Sequence, residues 1–241
     1  MIKLERTSVM NFENAIRGAR NPMNSWDKSD SYFANYTDAS GMTYKQLDSY
    51  DGITTDWMTL GENDLDLAKR LVRAGSDHRK FLRQIFVSVD ITAPLYWWKE
   101  MDTYKVGTVA NSCSTMHKIH SKEFTLEDFS YDNLTDETNE QTPIVYGCYP
   151  LSTRGIANLT IAVLNGLRNK YNQTKDKKYW RQMIEILPSS YNQMRTVTMS
   201  YENLLNIYHA RKHHKLTEWH VVCDWIETLP YAKELICGDE E

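Results

Sequence analysis

Two stretches of this chain hold the residue types that could do chemistry. Thr108 to Ser121 is small, polar and rich in hydroxyls, and it closes on His117, Lys118 and His120. Together with Lys105 just before it, such a Ser/Thr loop could hold one phosphate through side chains and backbone N–H groups. Ser112, Ser114 and Thr115 supply its hydroxyls, for which turn formation is the plainer role. Cys113, in the same loop, reads either as a small packed thiol or as a nucleophile. The second stretch, Asn206 to His220, carries Arg211 among His209, His213, His214 and His220. His209 and His213 lie four apart on an expected helix, a metal-ligand spacing, but carboxylate partners at fixed spacing are missing. A basic helix end, favourable against the helix dipole, accounts for these histidines without a metal. Arg211 reads either as an anion contact or as a surface salt bridge.

The elements that must position these residues come from a chain of 241 residues with 41% hydrophobic content, enough for a full core. One domain spanning 1–241 is expected. A net charge of −4 and the lack of any Lys/Arg-dense run argue against a nucleic-acid polymer as ligand but allow a small local anion pocket. No apolar run approaches a membrane span, and the N-terminus has no signal-peptide core, so a soluble, cytoplasmic protein is expected. Cys113, Cys148, Cys223 and Cys237 show no CxxC spacing, which points to reduced thiols and no zinc site.

Ile2 to Thr7 reads as a short strand and Phe12 to Arg20 as a helix stopped before Pro22. Asn21 to Thr59, rich in Ser, Asp, Asn and Tyr, reads as a loop-rich insertion with little regular structure. Glu62 to Ala74 has helical spacing with Gly75 at the cap. Ile85, Val87, Val89 and Ile91 share one face of the clearest strand. Thr92 is expected to cap a helix from Pro94 to Thr103, with Leu95, Trp98 and Met101 on one side. Trp97 and Trp98 face different directions on that helix, and core or subunit contact is expected of both. The acidic segment Glu123 to Glu140 reads as a solvated loop that could form a lid. Leu151 to Tyr171 is expected to bury Ile156, Leu159, Val163, Leu164 and Leu167. Trp180 to Leu187 reads as a helix and Gln193 to Met199 as a strand. Ser200 is the expected cap of a helix burying Leu204, Leu205, Ile207 and Tyr208. Leu216 to Leu229 is the last helix.

The order and spacing of Leu187-Pro188, Thr198-Met199, Leu204-Leu205, Asn206, Arg211 and Trp219 resembles the C-terminal signature of the flavin-dependent thymidylate synthases. Ile85 to Pro94 resembles the strand and apolar-Pro step that precede the family's Arg-His-Arg triplet. Counting from Ala93-Pro94, that triplet falls on Thr103, Tyr104 and Lys105, and only Lys105 keeps a charge. The second Ser of the motif falls on Cys113 or, one residue on, Ser114. One Lys is a point charge and not a planar bidentate donor, so ligand geometry should differ from the family's.

The resemblance implies an α+β fold, a mixed sheet packed with long helices. It implies reductive methylation of dUMP to dTMP with methylenetetrahydrofolate, FAD and NADPH, a flavoprotein methyltransferase working as a homotetramer. By the same resemblance Arg211, Lys105, Ser114 and Thr115 would bind substrate, and Asn206, His214, Thr108 and Asn111 would bind flavin. No catalytic residue is assigned and no metal is expected. Two alternatives stand beside it: a FAD-dependent enzyme on the same scaffold acting on another nucleotide, and a catalytically inactive nucleotide-binding or assembly protein. Tyr32, Arg20 and Lys45 are the residues near the 21–59 segment that could compensate for the altered triplet.

Overall fold

The computed structural model describes residues 2–138 and 152–238; Cys148, Leu151 and residues 139–140 of the acidic segment lie outside the described residues. Strand β1 spans Lys3–Met10, longer than predicted, and α1 spans Phe12–Arg20 as predicted. The stretch expected to carry little regular structure instead holds six short strands. They are β2 (Tyr32–Phe33), β3 (Asn35–Thr37), β4 (Thr43–Lys45), β5 (Leu47–Tyr50), β6 (Ile53–Asp56) and β7 (Met58–Thr59). Local turn chemistry explains the difference. Asp51 and Gly52, with φ of 46° and 76°, form the left-handed two-residue turn that a tight hairpin requires, and Tyr50 pairs with Ile53 across it. In the β3–β4 hairpin the Asp38 carboxylate accepts the N–H groups of Ser40 at 2.9 Å and Met42 at 3.0 Å.

The central sheet has the order β5-β6-β1-β8-β10-β9, where β8 is Phe86–Pro94, β9 is Val109–Ser112 and β10 is Asn192–Ser200. It is mixed, since β6 pairs parallel with β1 and antiparallel with β5. Helices α2 (Glu62–Arg73), α3 (Leu95–Met101), α4 (Thr153–Thr174), α5 (Lys177–Ile186), α6 (Tyr201–Arg211) and α7 (Thr217–Glu227) complete an α+β fold. None of the described helices is long and apolar enough to cross a membrane.

The chain forms two compact units. One takes in Met1–Ile2, Thr92–Met101 and Ser112–Met194. There β8 runs on through Thr92 to Pro94, so Thr92 is not a helix cap and α3 begins after Pro94. The N–H groups of Leu95 and Tyr96 are taken by the carbonyls of Tyr191 at 3.0 Å and Ser189 at 2.9 Å, which removes the need for a side-chain cap. Trp97 and Trp98 are both buried, and Trp98 Nε1 donates to the Gln193 carbonyl at 2.9 Å. A second cluster joins Ile119, Phe124, Phe129, Leu164 and Met183. The buried line of α4 runs through Ala157, Ile161 and Leu164, so Ile156, Leu159 and Val163, expected inside, fall around the helix from it and are exposed.

The other unit takes in Lys3–Ile91, Asp102–Asn111 and Arg195–Glu241. Val87, Val89 and Ile91 are buried, as their alternation predicts. Phe12 meets Tyr201 edge to face with centroids 5.5 Å apart, and the Tyr201 hydroxyl donates to the Pro230 carbonyl at 2.7 Å. Each such buried large side chain contributes roughly 1.5–3 kcal/mol. Gly75, at φ 99°, follows α2 in the predicted capping role. Ser200 caps α6: its Oγ accepts the Asn203 N–H at 3.3 Å while Asn203 Oδ1 accepts the Ser200 N–H at 3.2 Å. Leu204, Leu205, Ile207 and Tyr208 are buried as predicted.

Candidate functional site

Within the second unit the chain from Thr103 to Gly107 turns sharply and is tied to the first turn of α6. Asn203 Nδ2 donates to the Val106 carbonyl at 2.6 Å. Gly107 has φ 74°, and a Cβ there would stand 3.0 Å from Asn203 Oδ1, so both conformation and space select glycine. This tether fixes one wall of a cleft of about 550 Å³, within the roughly 300–1,000 Å³ typical of small-molecule sites. Tyr104, Lys105 and Gly107 line it from the turn, Ser200, Glu202, Asn203 and Asn206 from the cap and face of α6, Phe86 from the start of β8, and Arg83 from the 3-10 turn Arg79–Gln84 before it.

Glu202 is the buried charge of this cleft. Its carboxylate accepts Arg79 Nε at 3.3 Å and is gripped by Arg83 through Nε and Nη2. Burial alone would raise its pKa; the hydrogen bonds from Arg83 and Arg79 outweigh that and hold it below the ordinary carboxylate value. Arg79 Nη2 also reaches Asn206 Oδ1 at 3.5 Å. Two guanidinium groups and Lys105 outnumber Glu202 and the nearby Asp77 carboxylate, which leaves the cluster cationic, and Phe86 and Tyr104 add ring surface. This donor set fits a phosphate attached to a planar ring. Next along from Gly107, the buried Thr108 Oγ1 has no hydrogen-bond partner among the described residues.

Of the predicted site residues, Lys105 and Asn206 meet in this cleft. Arg211 lies in the same unit with Tyr104 and Trp219: its Nε donates to the Tyr104 hydroxyl at 2.9 Å and its guanidinium sits 4.8 Å from the Trp219 ring centroid. The middle position of the altered triplet thus holds Arg211. His214 accepts the Leu216 N–H on Nδ1 at 3.1 Å and stands edge-on to Trp219. Asn111 is exposed on β9. Ser114 and Thr115 belong to the other unit, where Ser114 Oγ accepts the N–H groups of Met116 at 3.2 Å and His117 at 3.0 Å, the turn role of a serine.

Cys113 is exposed, and its carbonyl accepts Gln193 Nε2 at 2.7 Å. Among the described residues no group of His, Cys, Asp or Glu is arranged to hold a metal, and His209 and His220 are engaged with the carbonyls of Ile236 and His214. Arg20 and Lys45 are engaged away from this cleft: Arg20 is buried on Asp64, and Lys45 pairs with Glu13 and Asp56. Sequence reading missed Arg79, Arg83 and Glu202 because their partnership crosses 119 to 123 positions, with no local spacing to reveal it.

A second cleft of about 550 Å³, lined by Asn14, Arg17, Gly18, Asn21, Trp26 and Gln84, has a single cation. A smaller one of about 260 Å³ holds Asp48 and Asp56 and is unsuited to an anion. The first cleft is preferred because it gathers charge, ring surface and the turn that follows α3.

No protein-family model matches the chain, and no curated protein sequence matches it. Solved structures do. Thymidylate Synthase X (ThyX) from Helicobacter pylori with FAD and dUMP superposes with a TM-score of 0.61 at 14% identity, covering 98% of this chain and 97% of that one. The UMP/dUMP methylase PolB from Streptomyces cacaoi bound with 5-Br dUMP gives a TM-score of 0.56 at 16% identity, covering 95% and 89%. The fold of this chain is that of these proteins.

Proposed function

We propose that the chain is a flavin-dependent thymidylate synthase-like enzyme that converts dUMP to dTMP. The observation that carries this reading is the cleft itself. Lys105 and Asn206, which the resemblance assigns to substrate and flavin, line one cationic pocket on a ThyX-like fold although they stand far apart in the chain. In the proposed reaction the hydrogen on the pyrimidine C5 gives way to a methyl group. Its carbon comes from methylenetetrahydrofolate and one hydride from reduced FAD, which NADPH restores.

The chain's own residues bind and orient. Lys105 offers a point charge to a phosphate, and Arg211, held against Tyr104 and Trp219, offers a guanidinium to the nucleotide. Asn206, steadied by Arg79, and Thr108, whose buried hydroxyl has no partner among the described residues, are the flavin contacts, joined by His214 and Asn111. Ser114 and Thr115 are assigned to the substrate phosphate, the subunits to a homotetramer, and the protein to the cytoplasm. No side chain is assigned a proton transfer.

One observation favours a second reading. The triplet position occupied by Tyr104 serves Arg211, and PolB, on the same fold, is a methylase of UMP as well as dUMP. An enzyme of this scaffold acting on another nucleotide is the runner-up, ahead of a non-catalytic nucleotide-binding or assembly protein.

The test is the visible spectrum of the purified protein after incubation with FAD and desalting, followed by dUMP. A retained flavin band that dUMP shifts, with dTMP formed on adding methylenetetrahydrofolate and NADPH, is the expected result. A flavin band indifferent to dUMP points to the other nucleotide, and a colourless protein overturns the flavoenzyme reading.

A further inference from the structure

We propose that Arg83 supplies the phosphate-binding guanidinium fork that Thr103 and Tyr104 cannot supply, and that Glu202 is the positioning residue that presents it. This rests on, and deepens, the reading of the cleft as a nucleotide site. The Glu202 side chain is 10% exposed and that of Arg83 is 55% exposed, so the carboxylate lies beneath and the guanidinium opens outward. Arg83 meets Glu202 side-on: Nε donates to Oε2, and Nη2 donates to Oε1 at 3.4 Å. A guanidinium held along its Nε–Nη2 edge keeps its Nη1–Nη2 edge for a second bidentate contact, the geometry that matches two phosphate oxygens.

Arg79 completes the arrangement from the other side. Its Nε donates to Oε1 of Glu202 at 3.3 Å and its Nη2 reaches Asn206 Oδ1 at 3.5 Å. The carboxylate is therefore shared by two cations, and one of them, Arg83, lines the same cleft as Lys105. A planar fork and a point charge on one cleft suit a phosphate monoester or diphosphate better than a carboxylate alone. The ligand phosphate has two possible sources, the nucleotide substrate and the flavin dinucleotide.

The experiment is equilibrium dialysis of the full chain with dUMP, FAD and inorganic pyrophosphate, each nucleotide compared with its phosphate-free counterpart, deoxyuridine or riboflavin. Arg83→Lys keeps the charge and removes the fork, and Glu202→Gln removes the orienting charge; circular dichroism verifies folding. Arg83→Lys should weaken dUMP or FAD at least tenfold and leave deoxyuridine and riboflavin unchanged. Glu202→Gln should weaken the same ligand and add nothing further in the Arg83→Lys background. A loss confined to dUMP identifies the substrate phosphate, and one confined to FAD identifies the diphosphate. If wild type binds a nucleotide and Arg83→Lys binds it equally well, this proposal falls while the nucleotide reading stands. Equal losses for phosphorylated and phosphate-free ligands would make Arg83 structural and overturn it. If wild type binds neither dUMP nor FAD, the nucleotide reading falls and pyrophosphate decides: binding that depends on Arg83 sustains the fork, and its absence overturns it.

Discussion

Asp64 and Glu202 are buried carboxylates, each held by arginine, and they differ in what surrounds the pair. Asp64, on α2, is sealed: its side chain is 0% exposed and that of its partner Arg20 is 4% exposed, with Arg20 Nε donating to Oδ1 at 2.5 Å. The second oxygen of Asp64 accepts both hydroxyls of Ser29 and Ser31 and the N–H groups of Asp30 and Ser31. Glu202, on α6, has the same chemistry with one side open, because Arg83 stands at a cleft. A sealed ion pair can only serve the fold, fastening residues 29–31 to α2. An open one keeps part of its guanidinium for something that arrives from outside.

The comparison breaks most easily at Asp64. Removing one member of a sealed pair strands the other, which costs about 3–5 kcal/mol. Asp64→Asn should lose about that much in urea unfolding at pH 7, and a loss under about 1 kcal/mol would mean that Arg20 finds other partners. Glu202→Gln should cost less, about 1–3 kcal/mol, because Arg83 can turn to water while only Arg79 loses a partly buried acceptor. Its larger effect should fall on phosphate binding. If Glu202→Gln destabilises as much as Asp64→Asn, the two sites are alike and the cleft-facing role of Arg83 loses its basis.

The two sites were unequally legible in the sequence, for physical reasons. Helix α6 and its Ser200 cap could be read because capping and apolar spacing are local, and the buried set Leu204, Leu205, Ile207 and Tyr208 followed. Lys105 and Asn206 were reached through a motif whose spacing survives. The ion-pair partners were not readable, since Arg20 and Asp64 lie 44 positions apart and Arg83 and Glu202 119 apart. The Asp51-Gly52 hairpin is a different kind of miss. Its signal was local, but the polar composition of residues 21–59 masked it.

Acid should sharpen the contrast. At Asp64, burial raises the carboxyl pKa, but hydrogen bonds from Ser31, Ser29 and Arg20 outweigh it and hold it low; Glu202 is held low in the same direction. A carboxylate with a depressed folded pKa contributes stability that is fully present above its unfolded value, 3.8 for Asp and 4.5 for Glu. That stability is lost as pH falls through the folded value. Unfolding free energy should therefore decline below about pH 5. Asp64→Asn should flatten that decline, and Glu202→Gln should flatten it less. An acid limb unchanged in Asp64→Asn would show that other carboxylates set it.

The smallest effect belongs to a third pair, two residues along α2 from Asp64. Asp66 and Arg70 form an i,i+4 bridge at 2.9 Å, but their side chains are 66% and 65% exposed. Water already solvates both charges, so breaking the bridge strands nothing, and holding two long side chains together costs entropy. Asp66→Asn should change the unfolding free energy by no more than about 0.5 kcal/mol, and the difference should shrink further in salt. Helix, residue type and partner type match Asp64→Asn, so the sealed, hydrogen-bonded surroundings of Asp64 separate the two results. A loss at Asp66 approaching that at Asp64 would mean that helix charge, and not the sealed environment, governs both.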